Sequence, residues 1–210
     1  MVAVALVLYA VALVVLFGVR SLVQWRRTGS TGFRGISGTP REVGWWGGVL
    51  FVVAVLLGLA APVAAVTGLV VPPPGPAGHP WVSAVGLLVA VAAFVGVAAG
   101  QRNMGASWRI GVEEADRTSL VTSGAFGAAR NPIFTAMVLA QAGMVLAVPT
   151  WLSLLTLVAL IAAVEIQVRA VEEPYLLRHH GAGYAAYAAQ VGRFLPGVGR
   201  IRRPGQQVVC

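Results

Sequence analysis

The chain has no lysine, a single aspartate and a single cysteine, and charged residues make up only 10% of its 210 positions. A soluble domain carries about 25% charged residues, so this chain has too few to cover a globule with a water-compatible surface. Cys210 has no partner for an internal disulfide and supplies no thiolate set for a metal. Nor is there a Gly-x-Gly-x-x-Gly turn after a strand, a Gly-x-x-x-x-Gly-Lys-Ser/Thr loop or a His-Glu-x-x-His helix, which excludes the nucleotide and zinc chemistry those patterns serve. Asp116 sits in a polar loop and suggests no Ser/His/Asp set.

What is present is apolar sequence in long runs: 58% of the chain is hydrophobic. A membrane-spanning helix needs roughly 20 apolar residues. Met1 to Val19, Gly44 to Val71 (with Pro62 a kink or break) and Trp81 to Gly100 meet that need. Ile133 to Val148 and Trp151 to Val164 are shorter runs separated by Pro149-Thr150, which reads as a tight helical hairpin. The first run has no basic leader and no small-residue cleavage site, so it reads as a retained span. The fold expected is all-α: a polytopic membrane protein with five transmembrane helices and amphipathic C-terminal helices. Residues 1–100 would form a three-span N-terminal region and residues 101–210 a catalytic region.

All 15 basic residues are arginines, and five spans put every one of them on one side. Arg20, Arg26, Arg27, Arg34 and Arg41 follow span one, Arg102, Arg109, Arg117 and Arg130 follow span three, and Arg169, Arg178, Arg193, Arg200, Arg202 and Arg203 follow span five. The seven acidic residues share that side. The positive-inside rule makes it cytosolic, with the N-terminus outside. The expected location is the cell membrane, multi-pass, with the active face cytosolic. The other side receives the stiff Pro72-Pro73-Pro74-Gly75-Pro76 loop and His79, which a membrane would separate from His179 and His180, so no metal set is expected. The net charge of +8 then reads as topology plus attraction to anionic headgroups, and no motif accompanies it that would bind nucleic acid.

Two segments carry candidate chemistry. At the start of span four, Gly124 allows close backbone approach, Asn131 is a natural N-cap and Pro132 suits the first helical turn. Arg130 stands at that helix entrance, where a guanidinium and orphan N–H groups together hold a carboxylate well. At the end of span five, Glu165, Arg169, Glu172 and Glu173 are spaced to share one helix face. A Glu165–Arg169 pair is one reading of that face. Adjacent Glu172 and Glu173 oppose the macrodipole at a helix C-terminus, which makes sense if something cationic sits against them. After Pro174, Tyr184, Tyr187 and Arg193 lie on a short amphipathic stretch, either a membrane anchor or a lid.

In these segments the chain resembles the isoprenylcysteine carboxyl methyltransferase family and the related phospholipid methyltransferases. The family pattern of Arg-His-Pro-x-Tyr, a helical hairpin, Glu-Glu and then Gly-x-x-Tyr-x-x-Tyr running to Pro is similar to Arg130-Asn131-Pro132-Ile133-Phe134, Glu172-Glu173 and Gly181-x-x-Tyr184-x-x-Tyr187 through Pro196. The likeness covers about Met104 to Pro196. It implies S-adenosylmethionine as methyl donor, with Gly124, Arg130, Asn131, Pro132, Phe134, Glu172 and Glu173 as cofactor-binding candidates. Asn131 stands where the family most often has His, and Phe134 where it has Tyr.

The activity this implies is methyl transfer to a lipophilic acceptor entering from the bilayer, most simply a carboxylate such as an isoprenoid acid, a fatty acid or a prenylcysteine. A carboxylate needs no base, and Arg193 or Arg169 would orient it. An amine or hydroxyl would need a proton acceptor, for which Glu165 is the candidate. The alternatives are a small membrane transporter or ligand-binding protein, and a family member that kept the fold and lost catalysis. A transporter should place ionisable residues near the midplane of several spans, and these spans are almost free of them.

Overall fold

The computed structural model describes residues 1–33, 35–36, 38–71, 79–108 and 119–201. The Pro72–Pro76 loop, Arg34, Arg109, Asp116, Arg117, Arg202, Arg203 and Cys210 lie outside the described residues. Among those described the chain is helical with no strand. Its helices are α1 (Val2–Thr28), α2 (Val43–Val66), α3 (Pro80–Met104), the single turn α4 (Ala125–Ala128), α5 (Pro132–Ala147) and α6 (Trp151–Gln190). Helices α1, α2, α3 and α6 are long and apolar enough to cross a membrane. In hydrocarbon a helix is favoured because it satisfies its backbone polar groups internally.

These runs are apolar on all sides, so what separates inside from outside is residue size. Val4, Val7, Val11, Leu56, Leu88 and Val158 are exposed, whereas Ala5, Ala54, Ala90, Ala159 and Ala163 are buried. Small residues let helix backbones approach where no aqueous hydrophobic effect drives them together. The tightest approach is α3 on α5. A Cβ on Gly86 would lie 2.5 Å from the Ala147 nitrogen, and one on Gly143 would lie 2.7 Å from the Ala90 nitrogen. Helix α1 leans on α2, where the Tyr9 hydroxyl donates to the Val55 carbonyl (3.1 Å), and α2 packs on α6 through Ala54, Ala159 and Leu160.

One end of the bundle gathers the polar groups. Arg20 near the end of α1 donates through Nη2 to the Gly105 carbonyl just beyond α3 (2.7 Å). Gly100 near the end of α3 meets Ile133 at the start of α5, and Gly44 and Gly47 at the start of α2 meet Val171 and Ile166 of α6. Consecutive apolar helices therefore alternate in direction about this end.

The hairpin expected at Pro149-Thr150 is present, and the Thr150 hydroxyl accepts from the Ser153 amide (3.1 Å) as the N-cap of α6. Other expectations change. Helix α2 runs unbroken through Pro62 and ends at Val66 rather than Val71. Helix α5 has 16 residues, about 24 Å, and is shorter than the ~30 Å hydrocarbon core. The second helix of the hairpin continues past Pro174 through a π-turn at Gln167–Glu172. A proline ring in a regular α-helix clashes with the carbonyl four residues earlier, and a widened turn just before Pro174 relieves that clash. Gly181 (φ 48°, ψ −123°) is non-helical, so α6 kinks there and the C-terminal helix proper runs from that glycine to Gln190.

Replacing Gly143 with Val should cost about 1–3 kcal/mol or more by overpacking against a backbone that cannot retreat. Gly18→Ala, where a Cβ meets nothing within 4 Å, should be close to neutral. Thermal unfolding of the two variants in detergent checks the contrast.

Candidate functional site

Three segments meet on one carboxylate. Glu173, in the second half of α6, is buried and accepts from Arg130 Nη2 (2.7 Å), from Arg193 Nε (2.8 Å) and from Arg193 Nη2 (2.9 Å). Arg130 is also buried. Its Nη1 donates to the Ala188 carbonyl (3.0 Å) and its Nη2 to the Gly199 carbonyl (3.0 Å). A charge removed from water needs a partner and further hydrogen bonds, and each of these groups supplies them to the others. The hydrogen bond from Arg193 to Glu173 holds the Arg193 pKa above the ordinary arginine value.

The backbone reinforces this corner. The Arg130 amide donates to the Gly192 carbonyl (2.8 Å) and the Asn131 amide to the Arg193 carbonyl (3.0 Å). The Thr135 hydroxyl donates to the Phe194 carbonyl (2.8 Å). Gly192 is required here, because a Cβ would collide with the backbone of Leu195 and Val198.

Against this corner lies a cavity of about 240 Å³ at the polar end of the bundle. Its polar wall includes Glu172, Glu173, Asn131, Gln167 and His180, and its apolar wall includes Phe17, Phe51, Phe134, Met137 and Trp108. The rings of Phe51 and Phe134 meet edge to face, with centroids 6.3 Å apart. Tyr184 and Tyr187 pack edge to face at 6.1 Å, and the Tyr187 hydroxyl donates to the Phe126 carbonyl (2.6 Å).

The structure brings Arg130, Asn131, Phe134, Glu172, Glu173, Tyr184 and Tyr187 to one cavity. Pro132 opens α5 beside them. Gly124, at φ +61°, begins α4, and a Cβ there would stand 2.8 Å from Asn103 Nδ2. The assignments within the group differ from expectation. Arg130 and Glu173 bond each other instead of facing outward to a ligand. Asn131 occupies the N-cap position, but its Nδ2 donates to the Arg193 carbonyl (3.1 Å) instead of its side chain capping α5. Tyr184 is almost fully buried in the cavity wall.

Glu165 and Arg169 form an exposed ion pair with each other and do not line the cavity. The π-turn is the reason. Its extra residue breaks the one-face register that the spacing of Glu165, Arg169, Glu172 and Glu173 implies. Arg193 is drawn onto Glu173 and is likewise absent from the lining. Orienting an acceptor would require it to leave that carboxylate.

Sequence reasoning missed Trp108, Phe126, Tyr175 and His180 of the lining. Trp108 is positioned by Arg20, whose guanidinium stacks on the indole 4.6 Å from the ring centroid. The only signal was a basic residue directly after span one, which orientation alone already explained. Among the described residues no cluster of His, Cys, Asp or Glu is arranged to hold a metal ion.

Fold and site together define a helical membrane protein with a cavity, polar on one wall and apolar on the other, at one end of its bundle. Residues 81–183 match the family model described as phospholipid methyltransferase. Over these residues the chain is similar to that family, which supports methyl transfer to a lipid-like substrate. No curated protein matches the chain. The matched region contains Arg130, Glu172 and Glu173, whereas Phe17 and Phe51 of α1 and α2 lie before it and Tyr184, Tyr187 and Arg193 just after it.

Glu173→Gln should destabilise the protein by about 3–5 kcal/mol, as removing one partner of a buried ion pair does. Arg169→Ala, at an exposed pair, should cost about 0–1 kcal/mol. Thermal unfolding of both variants in one detergent measures the difference.

Proposed function

We propose that the chain is an S-adenosylmethionine-dependent methyltransferase acting on a lipophilic acceptor at the cytosolic face of the cell membrane. The observation that carries this reading is the cavity in which a carboxylate, Glu172, stands opposite aromatic walls at the polar end of an apolar bundle. The residues fit such a donor. Glu172 offsets its cationic groups, and the aromatic face of Phe134 suits a sulfonium. Arg130 Nε, buried with no hydrogen-bond partner among the described residues, leaves one donor uncommitted beside the cavity. When bound, the cofactor supplies an electrophilic methyl group.

The chain's part is to position, to exclude water and to take up a proton. Methyl transfer is an in-line displacement, so holding the acceptor atom against the methyl group accounts for most of the acceleration asked of the protein. Arg130, Glu173 and Arg193 act as a rigid frame that fixes the corner between α5 and α6. Asn131 and Phe134 then stand opposite Glu172, and Gly124 gives the backbone room to close the wall.

Among the described residues the only guanidinium lining the cavity is that of Arg130, and it is bonded to Glu173. A carboxylate acceptor would therefore find only the Nε donor of a guanidinium already bonded to Glu173. The geometry favours an amine or hydroxyl headgroup. A ring nitrogen of His180, in the cavity lining, would accept the proton such a headgroup gives up on methylation. Glu165 and Arg169, outside the lining, take no part. The cytosolic assignment rests on the arginines that follow spans one, three and five.

Purified protein incubated with methyl-labelled cofactor and total lipid should transfer label into a lipid fraction. Glu172→Gln should weaken S-adenosylhomocysteine binding by about tenfold or more, the loss of one charge-assisted contact. Glu165→Ala should leave binding and turnover within about twofold, the scale of an exposed pair. Absence of S-adenosylhomocysteine binding by calorimetry would turn the reading toward a transporter.

A further inference from the structure

A second, smaller cavity of about 30 Å³ lies deeper in the bundle. It is walled by Tyr9, Leu13 and Leu16 of α1, Ala54 and Val55 of α2, and Phe94 of α3, among others. It shares Phe17 and Met137 with the main cavity, so these two side chains form the partition between them. The polar atoms near the deeper cavity point elsewhere. The Tyr9 hydroxyl donates to the Val55 carbonyl and Gln141 Nε2 to the Ser153 carbonyl. Most of the lining that faces the space is hydrocarbon, and a mainly apolar space favours an apolar occupant.

Phe17 is held by an irregular turn. Residues Val14–Val19 are π-helical, and Gln101 Nε2 donates to the Leu16 carbonyl beside Phe17 (3.0 Å). Gln101 also lines the main cavity. A π-turn inside a membrane helix re-aims the side chains around it, and here it turns Phe17 to the boundary between the cavities. From Phe17 to Tyr9 is eight residues of α1, about 12 Å of depth toward the middle of the bundle.

We propose that the two cavities form one track for a single hydrocarbon chain of the acceptor, and that Phe17 and Met137 set how long a chain it admits. This rests on the reading of the main cavity as an acceptor site. It assigns α1 and α2, which lie outside the matched residues 81–183, a direct role in substrate selection. The headgroup stands at the Glu172 end and the chain runs alongside the Phe51–Phe134 pair to the partition. Removing either partition side chain joins the two spaces and lengthens the track. Enlarging Met137 shortens it.

The test uses the full chain in detergent with straight-chain primary amines from decylamine to octadecylamine. Their binding is compared between parent and variant at each length so that partition into the micelle cancels. In the parent, affinity should rise about fourfold per added methylene and then level off at the length that reaches the partition. In Phe17→Ala and Met137→Ala the rise should continue to longer chains, and in Met137→Trp it should stop earlier. Profiles that superimpose on the parent, in variants that still bind S-adenosylhomocysteine, would overturn the proposal.

Should those variants fail to fold, an alkylamine carrying a terminal photoreactive diazirine tests the parent itself. Crosslinks to the cavity-lining Tyr9, Leu13, Leu16 or Phe17 of α1 support the track, and crosslinks confined to outward-facing residues such as Val11 and Val158 refute it. Loss of methyl transfer with these crosslinks retained would refute the proposed activity alone. Intact methyl transfer with one common length profile would refute the track alone.

Discussion

The site depends on a carboxylate shared by two guanidiniums. Glu173 is buried, and a buried charge needs cations in contact, which Arg130 and Arg193 provide from separate segments. The pair of arginines leaves an excess positive charge. Arg130 directs it to the Ala188 carbonyl in the last turn of α6, where the helix dipole is negative, and to the Gly199 carbonyl beyond. One ionic contact thereby joins the start of α5, the middle of α6, its end and the turn that follows. Every wall of the polar half of the cavity is referenced to it.

A second guanidinium does comparable work on the other side. Arg20 bonds the Gly105 carbonyl at the end of α3 and stacks on Trp108, which forms part of the cavity wall. Both arginines lie in segments where positive charge also serves orientation in the membrane. Each guanidinium closes the end of a helix that would otherwise present bare carbonyls.

The helices and the hairpin were legible in sequence because long apolar runs and a Pro-Thr break are local signals. The order Arg130-Asn131-Pro132 then Glu172-Glu173 also identified the residues that meet at the cavity. Their division of labour was not legible. Spacing counted at the α-helical period put Glu165 and Arg169 with Glu172, and the π-turn at Gln167–Glu172 separates them. Asn131 had the right identity for a cap, but the Arg193 carbonyl, 62 positions further along the chain, competed for its amide. The deeper cavity left no trace in the pattern of α1. When lipid and protein interior are both apolar, hydrophobic periodicity cannot distinguish the face carrying Tyr9 from the face carrying Val7 and Val11.

The shared carboxylate also has a temporal side. Its second guanidinium sits twenty positions further along the chain, so during synthesis every apolar helix is already complete before Arg193 has emerged. The helices can therefore pack before the turn that follows α6 has emerged to complete the contact. Assembly thus runs from an apolar scaffold to a late ionic clasp that closes the polar corner of the cavity.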